Sequence, residues 1–88
     1  MAALHLVNHA SALAACLAVA GDHDAILLLE NGVYAATAAG APHRALHALE
    51  PDVQARGLAG RLAGSVEVIS HAQFVTLVED HQPVVTWR

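Results

Sequence analysis

The run Ala25-Ile26-Leu27-Leu28-Leu29 constrains this chain most. A strand with no polar face must be buried on both sides, as in the middle of a parallel sheet covered above and below. Four further stretches read as strands: Leu4 to Val7, Ala45 to Leu49, Val66 to Ile69 and Val84 to Trp87. The segments between them carry helical signals. From Ala10 to Ala20 the larger apolar residues fall at Leu13, Cys16, Leu17 and Ala20, the spacing of one helix face. Asn8 is placed to cap that helix, and Gly21 to end it in a left-handed conformation. A short helix is expected over Val33 to Ala39, broken by Gly40-Ala41-Pro42. Pro51-Asp52 opens a helical turn that Gly57 closes. Ser70-His71-Ala72-Gln73 has the capping-box spacing, and the helix it starts presents Phe74, Leu77, Val78 and His81 on one face before Pro83 stops it.

Strands alternating with helices require crossover connections. The expected fold is therefore a single α/β domain over residues 1–88: a small doubly wound, mostly parallel five-stranded sheet with helices on both faces. Composition adds a constraint. Of 88 residues, 56% are hydrophobic and only 14% charged, and 20 are Ala. Soluble domains average about 25% charged residues, and a chain of this size buries only about 60–65% of its unfolded surface. Part of the surface is therefore expected to be covered by another chain.

Several function classes drop out. High hydrophobicity excludes disorder. Four Arg, no Lys and eight acids provide no footprint for direct nucleic-acid binding. The longest apolar run, Ala12 to Ala20, is nine residues, well short of a membrane span, and the default location is cytoplasmic. One Cys excludes an intrachain disulfide and a Cys-only metal cage. The seven His would carry the net charge from −4 to +3 if all were protonated.

In open α/β sheets, sites lie beyond the carboxyl ends of the strands. Here those positions are Asn8 and His9, Glu30 to Gly32, Glu50 to Asp52, and Ser70 and His71. Neither GxGxxG nor GxxxxGK[ST] is present, so a nucleotide-binding module has no fingerprint and no cofactor is indicated. Cys16 has two readings. It is a small buried hydrophobe, or a reactive thiol whose mid-helix position lacks the helix N-terminus or cationic neighbour that activates one. The pairs His5/His9 and His43/His47 have His-x3-His spacing, but each straddles a strand boundary, so no metal site is expected. His81 on an apolar face reads as a packed His with one nitrogen bonded. Glu30, Glu50 and Asp52 offer acid–base carboxylates; the simpler reading has Asp52 capping its helix and Glu30 solvating a loop. Tyr34 and Trp87 are the large amphipathic aromatics, suited either to an interface or to core filling.

Several stretches together resemble the DsrH/TusB family of sulfur-relay subunits. They are Leu4 to Asn8, Ala15-Cys16-Leu17, Asp24 to Ala36, Ala48 to Leu58, Phe74 to His81, and Val84 to Trp87. The most specific are the Leu-rich strand running into Glu30-Asn31-Gly32-Val33-Tyr34-Ala35, and Ala55-Arg56-Gly57-Leu58. The resemblance implies a DsrEFH-like fold and a place in a heterohexamer with two paralogous subunits, DsrE/DsrF-like or TusD/TusC-like. Such an assembly passes persulfide sulfur between small sulfur-carrier proteins. In one branch the sulfur ends in 2-thiouridine at the tRNA wobble position; in another the complex serves sulfur oxidation. The main sulfur-bearing Cys of the family lies in a sister subunit, and a Cys matching Cys16 occurs in some members. Cys16 is thus the candidate sulfur carrier, and His9, Glu30, Asn31, Gly32, Tyr34 and Trp87 are candidate rim or interface residues. Two departures stand out. His9-Ala10-Ser11-Ala12 replaces the usual Ser-Pro-Phe element, and the stretch around Gly40 to Arg44 is trimmed.

Overall fold

The computed structural model describes residues 2–37 and 45–88. The expected short helix beyond Thr37, its Gly40-Ala41-Pro42 breaker, the trimmed stretch and His43 lie outside the described residues. Five strands form one sheet in the order β4-β3-β2-β1-β5. They are β1 (Leu4–His9), β2 (Ala25–Asn31), β3 (Ala45–Leu49), β4 (Val66–Ile69) and β5 (Val84–Trp87). All four neighbouring pairs are parallel.

The chain walks outward from β1 to β4, then returns across the sheet to place β5 on the other side of β1. Crossovers are right-handed, so that reversal of direction puts the last helix on the opposite face. The core divides accordingly. One face carries Val7, Ile26, Leu28, Leu46 and Ala48 against Ala12, Cys16, Val33, Val53 and Leu58. This face is covered by helix α1 (Leu13–Val19), the 3-10 helix Gly32–Thr37 and helix α2 (Glu50–Ala55). The other face carries Leu4, Ala25, Leu27, Leu49 and Ile69 against Phe74 and Leu77 of helix α3 (His71–Asp80). Leu27 and Leu28 thus point to opposite cores and both are fully buried, which is why β2 has no polar face.

The covering is uneven. Five strands about 4.8 Å apart span about twice the roughly 10 Å diameter of a helix. Yet among the described residues α3 alone lies on the second face, and none of its residues is buried. Val75 and Val78 on α3, and Val84 on β5, stay exposed.

Local signals resolve with some corrections. The Ser70 capping box is present: Ser70 Oγ accepts from the Gln73 amide, and Gln73 Oε1 accepts from the Ser70 amide. The first helix is split into a 3-10 turn, Ala10–Ala12, and α1. Its cap is His9 rather than Asn8, because β1 runs on to His9 and Nδ1 of that ring accepts from the Ser11 amide at 3.3 Å. Gly21 is not the left-handed residue. Ala20 leaves α1 in an extended conformation, and the Gly21 N–H is taken by Asp24 Oδ2 at 2.9 Å. The left-handed glycine is Gly57 (φ 67°), where Leu58 N–H returns to Val53 carbonyl at 3.0 Å and Gly57 N–H to Gln54 carbonyl at 3.1 Å. That double bond pattern is a Schellman stop, and Val53 and Leu58 close it as neighbours in the core.

Candidate functional site

The carboxyl end of β2 is the most constrained part of the rim. β2 leaves the sheet through Glu30, Asn31 and Gly32, and each is held differently. Glu30 adopts φ 51°, a left-handed conformation that costs a residue with a Cβ about 1 kcal/mol or more. Its N–H donates to Asp52 Oδ2 at 2.7 Å. Asn31 Oδ1 accepts both Nε and Nη2 of Arg56, at 3.1 and 3.0 Å. A guanidinium only donates, so these contacts fix which end of the Asn31 amide faces it. Gly32 lies directly on β1: a Cβ there would overlap the Val7 carbonyl oxygen and sit 2.8 Å from its carbon.

Asp52 and Arg56 come from α2, one turn apart, so the same helix supplies both clasps. Arg56 Nη1 donates to the Asp52 carbonyl at 3.2 Å and lies 3.7 Å from its carboxylate. The guanidinium also sits 6.0 Å from the centre of the Tyr34 ring, which is 48% exposed. The two stretches that carry the resemblance most specifically, 24 residues apart in Gly32 and Arg56, are therefore one structural unit. Asp52 is not the cap of its own helix, since α2 begins at Glu50 behind an uncapped Leu49. Its carboxylate instead restrains Glu30, so Glu30 does more than solvate a loop. The Glu30 carboxylate itself has no hydrogen-bond or ion-pair partner among the described residues and faces solvent.

Replacing Glu30 by Gly removes the conformational penalty and keeps the N–H to Asp52. The expected result is a gain of about 0.5–1 kcal/mol in urea unfolding.

Of the other candidates, His9 stands at the end of β1 opposite Asn31 on β2, exposed, with Nδ1 2.8 Å from Ser11 Oγ. The rest lie elsewhere. Cys16 is 0% exposed in the middle of α1, packed among Val7, Ile26 and Val33. His5 and His9 both lie within β1, where four residues span about 13 Å, so their rings do not converge. Among the described residues no cluster of His, Cys, Asp and Glu could hold a metal ion. His47 meets Glu67 across β3 and β4 at 3.0 Å, and His81 Nδ1 donates to the Leu77 carbonyl at 2.8 Å.

Trp87 reaches inward. Its indole N–H donates to His5 Nδ1 at 3.0 Å, and His5 Nε2 contacts Asp24 Oδ2 at 2.8 Å. His5 is 4% exposed. Asp24 also accepts the Ala3 and Gly21 amides, both at 2.9 Å. Sequence reasoning considered His5 only as a metal ligand and passed over Asp24. The available signal was a His inside an apolar strand, which needs bonded nitrogens to be tolerated there. The bond to His5, then those to Gly21 and Ala3, hold the Asp24 carboxyl down from 3.8 to about 2. A carboxyl depressed on folding stabilises the fold above its unfolded value and stops doing so as pH falls through its folded value. The urea midpoint is therefore expected to drop between about pH 4 and pH 2 on account of Asp24. Asp24→Asn should flatten that dependence and cost about 2 kcal/mol at neutral pH.

The DsrH family, described as DsrH like protein, matches residues 7–84. Protein TusB of Sodalis glossinidius is 41% identical over 86 residues, covering 90% of both chains. Protein TusB of Klebsiella pneumoniae is 42% identical over 83 residues, covering 85% of this chain and 86% of its own. Protein TusB of an Enterobacter species is 33% identical over 95 residues, covering 96% and 99%. None of the described helices is long and apolar enough to cross a membrane.

Proposed function

Because the chain belongs to the DsrH family, we propose that it is a subunit of a heterohexameric sulfurtransferase complex that relays persulfide sulfur toward 2-thiolation of the tRNA wobble uridine. Its partners in this reading are two paralogous DsrE/DsrF-like subunits and small sulfur-carrier proteins, in the cytoplasm. Membership over residues 7–84 carries the reading. The TusB name of the relatives favours the tRNA branch over sulfur oxidation. Two structural facts support the role of an accessory subunit. The second sheet face is covered by one shallow helix, leaving apolar side chains for other chains to cover. The single thiol, Cys16, is sealed in the core, so this subunit shapes the assembly while a sister subunit carries the sulfur.

The exposed rim residues Glu30, Asn31 and Tyr34 are assigned to partner contact, with His9 beside them, while Gly32, buried against β1, shapes the rim from below. Trp87, engaged with His5, supports that edge from within. Glu30→Gly then separates roles: a subunit more stable alone but weaker in assembly.

The test is co-expression with the two paralogous subunits. A complex of the mass of two copies of each is expected by light scattering, and a chain that stays monomeric in their presence overturns the reading. In a strain lacking the gene, wobble thiolation should be lost and restored by the wild type. Cys16→Ser should restore it too, while costing about 1–2 kcal/mol of stability for a buried hydroxyl. Lost thiolation with assembly intact would instead make Cys16 the carrier.

A further inference from the structure

The Trp87–His5–Asp24 chain joins three distant parts of the sequence: the last strand, the first strand and the turn before β2. Its chemistry admits one protonation pattern. An indole nitrogen only donates, so His5 Nδ1 must be the acceptor. The ring is then neutral, with its proton on Nε2, donated to the Asp24 carboxylate. Both ring nitrogens are used, and neither can change state without altering one of these contacts.

This contact ties strand β5 to the core beside its pairing with β1. β5 is an edge strand of four residues, paired only with β1, and none of its side chains is buried. Val84 and Thr86 are exposed, while Val85 and Trp87 turn toward the covered face. The indole hydrogen bond is the one polar side-chain anchor recorded between β5 and the rest of the described residues.

We propose that His5 is a proton-operated latch for the C-terminal strand. Uptake of one proton at Nδ1 turns the acceptor into a donor. The indole N–H then faces another N–H and must leave or remain unsatisfied. Meanwhile the imidazolium keeps Asp24, now as a charge-assisted pair. The protonated protein therefore retains the β1–Asp24 contact and releases Trp87, with residues 84–87 loosened from β1. Groups around the ring fit this division. Asp24 faces it from the β2 side, and β5 brings only the non-titrating indole. Cys16 is the titratable residue of α1 on the same face, and Tyr34 of the 3-10 helix lies against Arg56. The two imidazole nitrogens are taken by Trp87 and Asp24.

The chain has a single Trp, so the latch reports on itself. The full chain is labelled with ¹⁵N in Trp and His, alone or assembled with unlabelled partner subunits. It is titrated from mildly alkaline pH down to the onset of unfolding. At the upper end His5 should show the Nε2–H tautomer. On acidification the indole N–H should lose its bonded position and exchange faster with solvent, with the midpoint of the His5 nitrogens. His5→Asn, whose amide oxygen replaces Nδ1 but does not titrate, should hold the indole in place across the range. An indole signal unmoved while His5 takes up its proton overturns the latch. So does an Nδ1–H tautomer at neutral pH, or a His5 that stays unprotonated until the whole protein unfolds. Should His5→Asn fail to fold, the wild-type nitrogen and indole signals decide alone.

Discussion

Gly32→Ala is expected to lower stability by about 3 kcal/mol or more and to displace the rim around it. The methyl group would overlap the Val7 carbonyl oxygen and press on the Asn8 Cα at 3.3 Å. Both obstacles are backbone of β1, which is clamped between β2 and β5 and cannot rotate aside as a side chain does. Relief requires moving the 3-10 helix away from β1, which uncovers Val33 and Ala36, both fully buried. Urea unfolding measures the loss, and Gly60→Ala is the control. A Cβ at position 60 meets nothing within 4 Å, so that variant should stay within about 0.5 kcal/mol of wild type. Equal effects at the two positions would show that Gly32 is not sterically required.

Leu28→Ala is expected to cost about 3–5 kcal/mol, a large share of the roughly 5–10 kcal/mol available to a domain of this size. Leu28 is fully buried on β2, flanked by Val7 on β1 and Ala48 on β3. Ala48 is too small to fill the gap, and the surrounding core of Cys16, Val33 and Val53 is held by three separate segments. The site therefore cannot collapse around the cavity, the condition under which truncation costs most. A lowered urea midpoint with an unchanged slope checks it. The same truncation at exposed Val75 on α3 should cost little in the isolated chain, because no buried contact is lost.

Most of the fold was legible because its signals are local. The apolar run Ala25 to Leu29 announced a strand buried on both faces, and the Ser70 capping box and the Gly57 stop were placed correctly. The errors share one cause. Asn8, Gly21 and Asp52 are residue types with familiar local roles, and the fold uses each of them differently. His9 caps because β1 runs longer than its apolar residues suggest. Gly21 is held by a carboxylate three residues on, so it needs no left-handed turn. Asp52 restrains Glu30 across 22 residues instead of its own helix. The candidate site was legible as a set of rim positions. Its wiring through Arg56, and the His5–Asp24 pair behind Trp87, depend on contacts 19 to 82 residues apart that no periodicity encodes.

The strand order has a consequence for synthesis. Of the five strands β1 is made first, yet its two neighbours are β2, the next, and β5, the last of the five. Until β5 is made, one edge of the first strand lacks the partner it has in the finished sheet. A nascent chain in this condition offers a bare row of backbone donors and acceptors beside Leu4 to Val7, which any extended segment can engage. Closure waits for the four residues of β5. A message that stops short of them yields a four-stranded sheet with its oldest strand open, a species that chaperones and proteases would meet as unfinished.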